Sequence, residues 1–450
     1  MKRLLILVAL ASVIAACSAP PATLQPTDQP SLPSAVPPTL IPTLAPTLTP
    51  SATPTPTRTP LPGEMYVNAE DGLNLRAEPG LTGLLLQTLP FGAHLTLFGD
   101  PTEPDADGHV WQSVETDDRQ TGWVAALYLT DTQPDLAAFD PFARYTIEGL
   151  RARSYDTGPI EIIETLSDNA GFTRYAVAYP SDGLRVTAML NVPKGSGAPD
   201  EKFPVIILNH GFVDPQQFPT GSYIRAEADY LARSGYLTLS PDYRGHADSE
   251  GDPESAGPNV RGENTFRVDY AVDVLNLLDA LPTLPQADLS RVGMWGHSMG
   301  GGITLKVLTV DGGRRVKAGV LYGAMSGDEV ANLHHIDRLW QRGIYDEVTA
   351  IYGTPEEEPA RYARLSPLTY LADIAAPIGL HHGTLDDQVP IEWSRDLAQR
   401  LEQSGKSVEY FEYEGAGHSF RDTTWSTFMQ RVTAFFDQYV KAGNQQATIQ

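Results

Sequence analysis

The segment Gly296-His297-Ser298-Met299-Gly300-Gly301-Gly302 holds a serine in a G-x-S-x-G pattern. By itself the pattern is weak evidence, because a chain with 39 glycines is expected to contain roughly 0.2 matches by chance. Its surroundings strengthen it, since Val292–Trp295 has the apolar character of a buried strand and Ile303–Thr309 that of a helix. Glycines permit a sharp turn between the two. The segment therefore predicts a turn that holds the Ser298 hydroxyl above a sheet as a nucleophile.

A serine nucleophile needs a general base, and the base needs a carboxylate that orients it. After a turn of this kind the chain order is serine, acid, histidine. Of the ten histidines, only His418 follows at a suitable place, in a loop after the predicted strand Ser407–Tyr413. The acid should follow the preceding strand, where Asp386 occupies the G-x-x-D-x-x-V-P position of Gly383–Pro390. Asp387 is the alternative acid.

Two backbone N–H groups are candidates for stabilising an oxyanion beside the serine. The N–H of Met299 lies at the predicted N-terminus of a helix, where the dipole favours negative charge. The second donor should come from the loop after the apolar strand Val205–Asn209, and the N–H of Phe212 is the candidate. In the same loop we expect His210 to organise the backbone, and we expect His297 to pack beneath the serine.

The sequence predicts neither a metal ion nor another cofactor. The only cysteine is Cys17, which excludes a cysteine-ligated zinc site and an intramolecular disulfide. His381 and His382 are adjacent, but no third ligand has a matching spacing. His334 and His335 are expected at the surface. A formal net charge of −24 argues against nucleic acid as a partner, because affinity for it comes mainly from neutralising phosphates.

Strands and helices alternate from about residue 140 to 442, which predicts an α/β domain with a mostly parallel, doubly wound sheet. The predicted strands include Phe172–Tyr179, Leu184–Val192, Val205–Asn209, Tyr236–Ser240, Val292–Trp295, Ala318–Tyr322 and Pro377–His381. The predicted helices include Ser222–Ser234 and Phe266–Leu281. Residues 326–367 interrupt this alternation before the acid strand. Insertions at this point commonly form a lid, although the apolar residues of this one, Trp340, Ile344, Tyr345, Ile351 and Tyr352, equally suit packing onto the domain.

The N-terminus has the features of an exported protein. Residues 1–16 combine the basic Lys2 and Arg3 with an apolar run of about 20 Å as a helix, too short for a bilayer and typical of a signal peptide. The run ends Ile14-Ala15-Ala16-Cys17, which resembles the lipobox of bacterial lipoproteins. This implies lipidation of Cys17 and an extracytoplasmic, membrane-anchored protein, or a secreted one if the cysteine is not lipidated.

Residues 17–63 read as a linker. From Ala19 to Pro62 there are 14 prolines and 10 threonines, and the only charges are Asp28 and Arg58. Such a composition cannot bury a core and removes many backbone donors. We therefore expect a disordered, extended stalk.

Residues 64–131 alternate in short apolar runs separated by turn signals, as in a small β module. The motifs Asn74-Leu75-Arg76-Ala77-Glu78-Pro79-Gly80, Val110-Trp111-Gln112-Ser113-Val114 and Gly122-Trp123-Val124 resemble a bacterial SH3-like domain. The resemblance implies a small all-β barrel that binds cell-wall peptide or targets the protein. In the alternative interpretation, Trp111 and Trp123 are core residues of a barrel that only spaces the enzyme.

The region from about Phe172 to Tyr439 resembles the α/β-hydrolase fold and, within it, the catalytic domain of the prolyl oligopeptidase family of serine peptidases. The resemblance rests on the serine segment, on the loops of Asp386 and His418, and on Pro241-Asp242-Tyr243-Arg244-Gly245-His246, Tyr352-Gly353-Thr354-Pro355 and Ser366-Pro367-Leu368. It implies that Ser298, Asp386 and His418 form a catalytic triad that cleaves short peptides through an acyl-enzyme.

Two departures from this family leave the substrate open. Its peptidases usually carry an N-terminal β-propeller, which about 140 residues of stalk and small barrel do not provide, and an aromatic residue usually follows the nucleophile where Met299 stands here. Relatives without a propeller include carboxylesterases and dienelactone-hydrolase-like acyl hydrolases, so a small ester is the alternative substrate. A third hypothesis is a non-catalytic, wall-binding lipoprotein.

Overall fold

The computed structural model describes residues 63–442 apart from 70–72, 81–82, 106–108, 137–139, 141, 157, 196–197, 199–200, 252–265 and 341–342. The predicted signal peptide, Cys17 and nearly all of the predicted linker lie outside the described residues. Among the helices that are described, none is both long and apolar enough to cross a membrane.

The first part of the described chain is an all-β module of seven strands in the order β3-β2-β6-β5-β4-β1-β7. The strands are β1 (Glu64–Val67), β2 (Leu73–Arg76), β3 (Leu85–Leu89), β4 (His94–Phe98), β5 (Trp111–Thr116), β6 (Thr121–Ala125) and β7 (Leu129–Thr130). Every pairing is antiparallel. Trp111 is buried, and its Nε1–H donates to Asp105 at 2.9 Å. Trp123 is half-buried. The burial of Trp111 fits the interpretation of that residue as part of the core.

The second part is built on a nine-stranded sheet with the order β16-β15-β14-β13-β11-β12-β10-β9-β8. The strands are β8 (Glu161–Asp168), β9 (Phe172–Ser181), β10 (Leu184–Pro193), β11 (Phe203–Asn209), β12 (Leu237–Pro241), β13 (Ala287–His297), β14 (Val316–Tyr322), β15 (Ile378–Gly383) and β16 (Val408–Tyr413). Strands β11 to β16 pair in parallel, and β8, β9 and β10 extend the sheet antiparallel. The predicted mostly parallel sheet is confirmed.

Helices cover both faces of this sheet and bury an apolar cluster against each. They are α1 (Ile147–Ala152), α2 (Arg225–Arg233), α3 (Val268–Ala280), α4 (Met299–Asp311), α5 (Glu329–Trp340), α6 (Ile344–Tyr352), α7 (Pro359–Leu365), α8 (Ile391–Gln403) and α9 (Asp422–Phe436). One cluster contains residues of α3 and α4, the other residues of α2 and α9. This is the doubly wound arrangement that the alternating pattern predicts.

The predicted insertion contains α5, α6 and α7. Ile344 and Tyr352 are each 2% exposed and belong to the same apolar cluster as the helices beside the sheet. These two residues therefore pack the insertion onto the domain, as the second of the two interpretations holds. The side chains of Trp340 and Ile351 lie outside the described residues.

Candidate active site

Ser298 stands alone between the end of β13 and the start of α4. Its backbone adopts φ 56° and ψ −120°, a strained conformation for a residue with a Cβ. Four backbone hydrogen bonds hold it: its N–H donates to the Tyr322 carbonyl at 2.9 Å, and its carbonyl accepts from the N–H groups of Gly301 and Met325 at 3.0 Å each and from that of Gly302 at 3.3 Å. The predicted sharp turn is present, and neighbouring strands fix it.

The glycines of the turn are required by close backbone approach. A Cβ at Gly296 would lie 2.2 Å from the carbonyl oxygen of Gly300, and a Cβ at Gly300 would lie 2.1 Å from that of Asn209 at the end of β11. The first turn of α4 therefore packs directly against the end of the central strand. This contact brings the N-terminus of the helix, with Met299, beside the loop that follows β11.

Asp386 and His418 are hydrogen-bonded to each other. Asp386 lies in the loop after β15 and His418 in the loop after β16, and His418 Nδ1–H donates to Asp386 Oδ2 at 2.8 Å. The other carboxylate oxygen accepts from the backbone N–H groups of Gln388 and Val389, at 2.9 Å each. Asp387 is exposed. Of the two candidate acids, the structure places Asp386 against the histidine.

The Asp386 side chain is almost completely buried. Burial acts to raise its pKa, but hydrogen bonds from His382, His418 and Val389 hold the pKa of this carboxyl well below its usual range. The carboxylate is therefore ionised at neutral pH. An ionised acceptor at Nδ1 keeps the proton there and leaves His418 Nε2 as the basic nitrogen.

The loop of His418 is fastened beside the nucleophile through His297. The two imidazole rings are 4.6 Å apart, and His297 Nε2–H donates to the His418 carbonyl at 2.9 Å. The Tyr223 hydroxyl donates to the other nitrogen of His297 at 2.8 Å. Burial lowers the pKa of His297 to about 3, so this ring is neutral and serves as a spacer. The ring is buried and stacks on Tyr322 with the ring centroids 4.2 Å apart, in agreement with the expected packing role.

The two candidate oxyanion donors belong to segments that lie next to Ser298. Met299 is the first residue of α4, and Phe212 follows β11 in a loop whose Gly211 approaches the serine closely. A Cβ at Gly211 would lie 3.1 Å from Ser298 Cβ. His210 points both ring nitrogens at backbone carbonyls, Gly211 at 2.7 Å and Asp242 at 3.1 Å. It organises this loop.

Two further histidines differ from what the sequence suggests. His335 was expected at the surface, but it is 5% exposed, and its Nε2–H donates to the Gln388 carbonyl in the acid loop at 2.7 Å. His382 is completely buried, and its Nε2 lies 3.1 Å from Asp386 Oδ2. Only the spacing of four residues between His382 and Asp386 hints at this contact. Within the described chain, no group of three or more His, Cys, Asp or Glu is arranged to hold a metal ion.

Comparison with known proteins finds a family match for each of the two parts of the chain. The prolyl oligopeptidase family model matches residues 222–443, and that of the bacterial SH3 domain matches residues 71–130. Over 246 residues the chain is 28% identical to the uncharacterized peptidase YtmA of Bacillus subtilis, which covers 55% of this chain and 86% of YtmA. The chain spans less than two fifths of the length of several further curated relatives.

Two solved structures share the fold. An acylaminoacyl peptidase of Pyrococcus horikoshii aligns with TM-score 0.50 and 21% identity, over 85% of this chain and 55% of that one. Acetyl xylan esterase 1 of a Thermoanaerobacterium species aligns with TM-score 0.50 and 19% identity, over 66% of this chain and 94% of the esterase. At these identities the likeness concerns the fold alone.

The α/β-hydrolase fold and the family match together define a serine hydrolase. More particularly, the chain carries a catalytic domain of the prolyl oligopeptidase family, preceded by a bacterial SH3 domain.

Proposed function

We propose that the chain hydrolyses short peptides or small esters by acyl transfer to water, through an acyl-enzyme on Ser298. The observation that carries the proposal is a strained, half-buried serine at a strand-to-helix turn, together with a buried, hydrogen-bonded Asp386–His418 pair on the loops after β15 and β16. An ionised acid, an oriented imidazole and a serine on a strand-to-helix turn are the parts that serine hydrolysis requires.

In this mechanism His418 Nε2 takes the Ser298 hydroxyl proton as the oxygen attacks the substrate carbonyl. Asp386 stabilises the imidazolium that forms, and the backbone N–H groups of Met299 and Phe212 donate to the oxyanion. Collapse of the tetrahedral intermediate passes the proton from His418 to the leaving group. Water then attacks the acyl-enzyme with His418 again as base, which releases the acid product and restores Ser298.

A peptide is the leading substrate class, and an ester is the alternative. The family match and the naming of YtmA as a peptidase favour peptide bonds. The shared fold with an acetyl xylan esterase shows that this architecture also carries ester hydrolysis. A panel of short acyl esters and of aminoacyl and dipeptidyl amides separates the two, because a peptidase must cleave an amide at a rate well above that of its serine-to-alanine variant.

The assignment of the nucleophile is tested with a fluorophosphonate probe. The wild-type protein should be labelled, and Ser298→Ala should not, because the probe phosphonylates an activated serine hydroxyl. The exposed Ser404, at the end of α8, gives the control variant Ser404→Ala, which should be labelled like the wild type. Equal labelling of Ser298→Ala and the wild type would reject Ser298 as the nucleophile, whereas a wild-type protein that is not labelled at all would support the non-catalytic hypothesis.

We also propose that the enzyme works in the cell envelope, anchored through a lipid on Cys17 and directed to the wall by its SH3 domain. The proposal is supported by the signal-peptide pattern and by the bacterial SH3 match. Cys17→Ser should move the protein from the membrane fraction to the soluble extracytoplasmic fraction. A wild-type protein found in the cytoplasm would contradict the proposal, and a protein lacking residues 64–131 should lose binding to purified peptidoglycan.

A further inference from the structure

A second histidine contacts the acid of the proposed triad. His382 lies in β15, and its side chain is fully buried. Its Nε2 is 3.1 Å from Asp386 Oδ2, the same oxygen that accepts from His418, and 3.1 Å from the carbonyl oxygen of Val389. The same carboxylate oxygen is therefore contacted by two imidazoles, one in strand β15 and one in the loop after β16.

The surroundings of His382 fix which nitrogen carries its proton. Nε2 faces a carboxylate and a carbonyl, and both are acceptors only, so a lone pair on Nε2 would be repelled by both oxygens. The proton therefore lies on Nε2, which hydrogen-bonds to Val389 and directs its positive end at Asp386. Nδ1 is then the acceptor, and the buried Ser394 in α8 donates its hydroxyl to it at 2.7 Å.

We propose that His382 is a positioning residue for the reaction: its Nε2–H keeps the Asp386 carboxylate ionised and aimed at His418, and Ser394 holds His382 in the required tautomer. The inference rests on the proposed function. The reason is electrostatic, because a nearly buried carboxylate is stable as an anion only where donors surround it. Backbone donors serve Oδ1, whereas Oδ2 is contacted by the imidazole nitrogens of His382 and His418.

The same strand provides a matched control. His381 is also buried, but its side chain points to the opposite face of the sheet, where it stacks on Phe411 and its Nδ1 contacts the Tyr413 hydroxyl at 2.9 Å. Replacing His381 perturbs the packing of β15 without touching Asp386. A role of His382 in packing alone would make the two positions equivalent.

The test compares His382→Leu, His382→Gln, Ser394→Ala and His381→Leu in the full-length protein, with kcat, KM and thermal midpoint measured for each. Leucine removes the donor, so His382→Leu should lower kcat roughly 10- to 100-fold at nearly unchanged KM. Losses of this size are typical when a residue that orients a functional side chain by a hydrogen bond is removed. Glutamine places an amide N–H near the position of Nε2, so His382→Gln should recover kcat to within about 3-fold of wild type. Ser394→Ala should cost roughly 2- to 5-fold, because the wrong tautomer becomes accessible.

His381→Leu should retain kcat within about 2-fold when folded, since no contact of His381 reaches the acid. Two outcomes overturn the inference: His382→Gln as impaired as His382→Leu, or equal losses of kcat for His381→Leu and His382→Leu at equal thermal midpoints. If His382→Leu does not fold, the glutamine and Ser394 variants still decide. Failure of the proposed function would show separately, as wild-type activity that survives Ser298→Ala.

Discussion

At Ser298 the backbone is held in a conformation that costs an ordinary residue about 1–3 kcal/mol. The strain persists because four backbone hydrogen bonds, to β14, to α4 and to the segment after β14, over-determine the position. A glycine would relieve the strain but would remove the hydroxyl. The strained serine is therefore evidence for a function, since packing alone has no need of it.

The two adjacent aspartates are a direct test of the acid. Asp386→Asn removes the anion that fixes the tautomer of His418 and should lower kcat by roughly 10⁴-fold, as at comparable triads. Asp387→Asn changes an exposed side chain by the same chemistry and should leave kcat within about 2-fold. Steady-state kinetics on the best substrate of the panel measures both. The reverse ranking would assign the acid to Asp387.

Sequence spacing was enough to nominate Ser298, Asp386 and His418, because each lies in a motif bounded by a predicted strand. It did not predict the contact between His382 and Asp386, or the one between His335 and Gln388. Both depend on how the acid loop folds back over β15 and α5, which is decided by burial and by hydrogen bonds between distant residues. Local patterns do not contain that information.

The same limit applies to secondary-structure elements. The central strands and the long helices were predicted because they are buried and strongly periodic. Strand β8 was not, since it is an exposed edge strand whose residues Ile162, Ile163 and Leu166 face solvent and whose register against β9 shifts twice. Helix α4 begins at Met299, four residues before the predicted start, because packing of α4 on β11 outweighs the low helix propensity of its glycines.

Two glycines of α4 provide a matched pair of substitutions that test this packing. Gly300→Ala puts a Cβ 2.1 Å from the Asn209 carbonyl oxygen, a backbone atom that cannot yield, and should destabilise the domain by about 3 kcal/mol or prevent folding. Gly302→Ala puts a Cβ 3.2 Å from Met325 Cβ and should be neutral or stabilise the helix by up to about 1 kcal/mol. Thermal unfolding and residual activity test both.

A Gly300→Ala variant with wild-type stability would show that the turn and β11 separate more easily than the close contact implies. Loss of activity in a fully folded Gly300→Ala variant would instead place the effect on the geometry of Ser298. Gly302→Ala calibrates both measurements, because it adds the same methyl group two residues further along the same helix.

The catalytic domain contains several buried histidines besides His418, the one that the proposed mechanism protonates. Burial lowers the pKa of His210, His297 and His381 to about 3 and that of His246 to about 4, so all four are neutral in the folded protein. In an unfolded chain each returns to a pKa near its usual 6.5. Burial has the opposite consequence for Asp242, whose pKa it raises to about 7.

These shifts predict an enzyme that loses stability in mild acid. As the pH falls below 6.5, these histidines bind protons in the unfolded state but not in the folded state. The free energy of unfolding therefore decreases until the pH reaches the folded pKa values near 3 to 4. Asp242 opposes this, because its folded carboxyl takes up a proton near pH 7 that the unfolded one binds only at lower pH. For these five groups alone, four histidines against one carboxyl leave a net loss on the order of 3 kcal/mol between about pH 7 and about pH 5.5.

Equilibrium urea unfolding at the two pH values measures this loss, and His381→Leu isolates one contribution to it. Because His381 lies away from the proposed triad, the variant should fold, and its free energy of unfolding should fall by about 1 kcal/mol less than that of the wild type over the same pH range. A variant whose pH dependence matches the wild type would mean that His381 is protonated in the folded state. Both imidazole nitrogens would then carry protons, and the Tyr413 hydroxyl would accept a hydrogen bond from Nδ1–H.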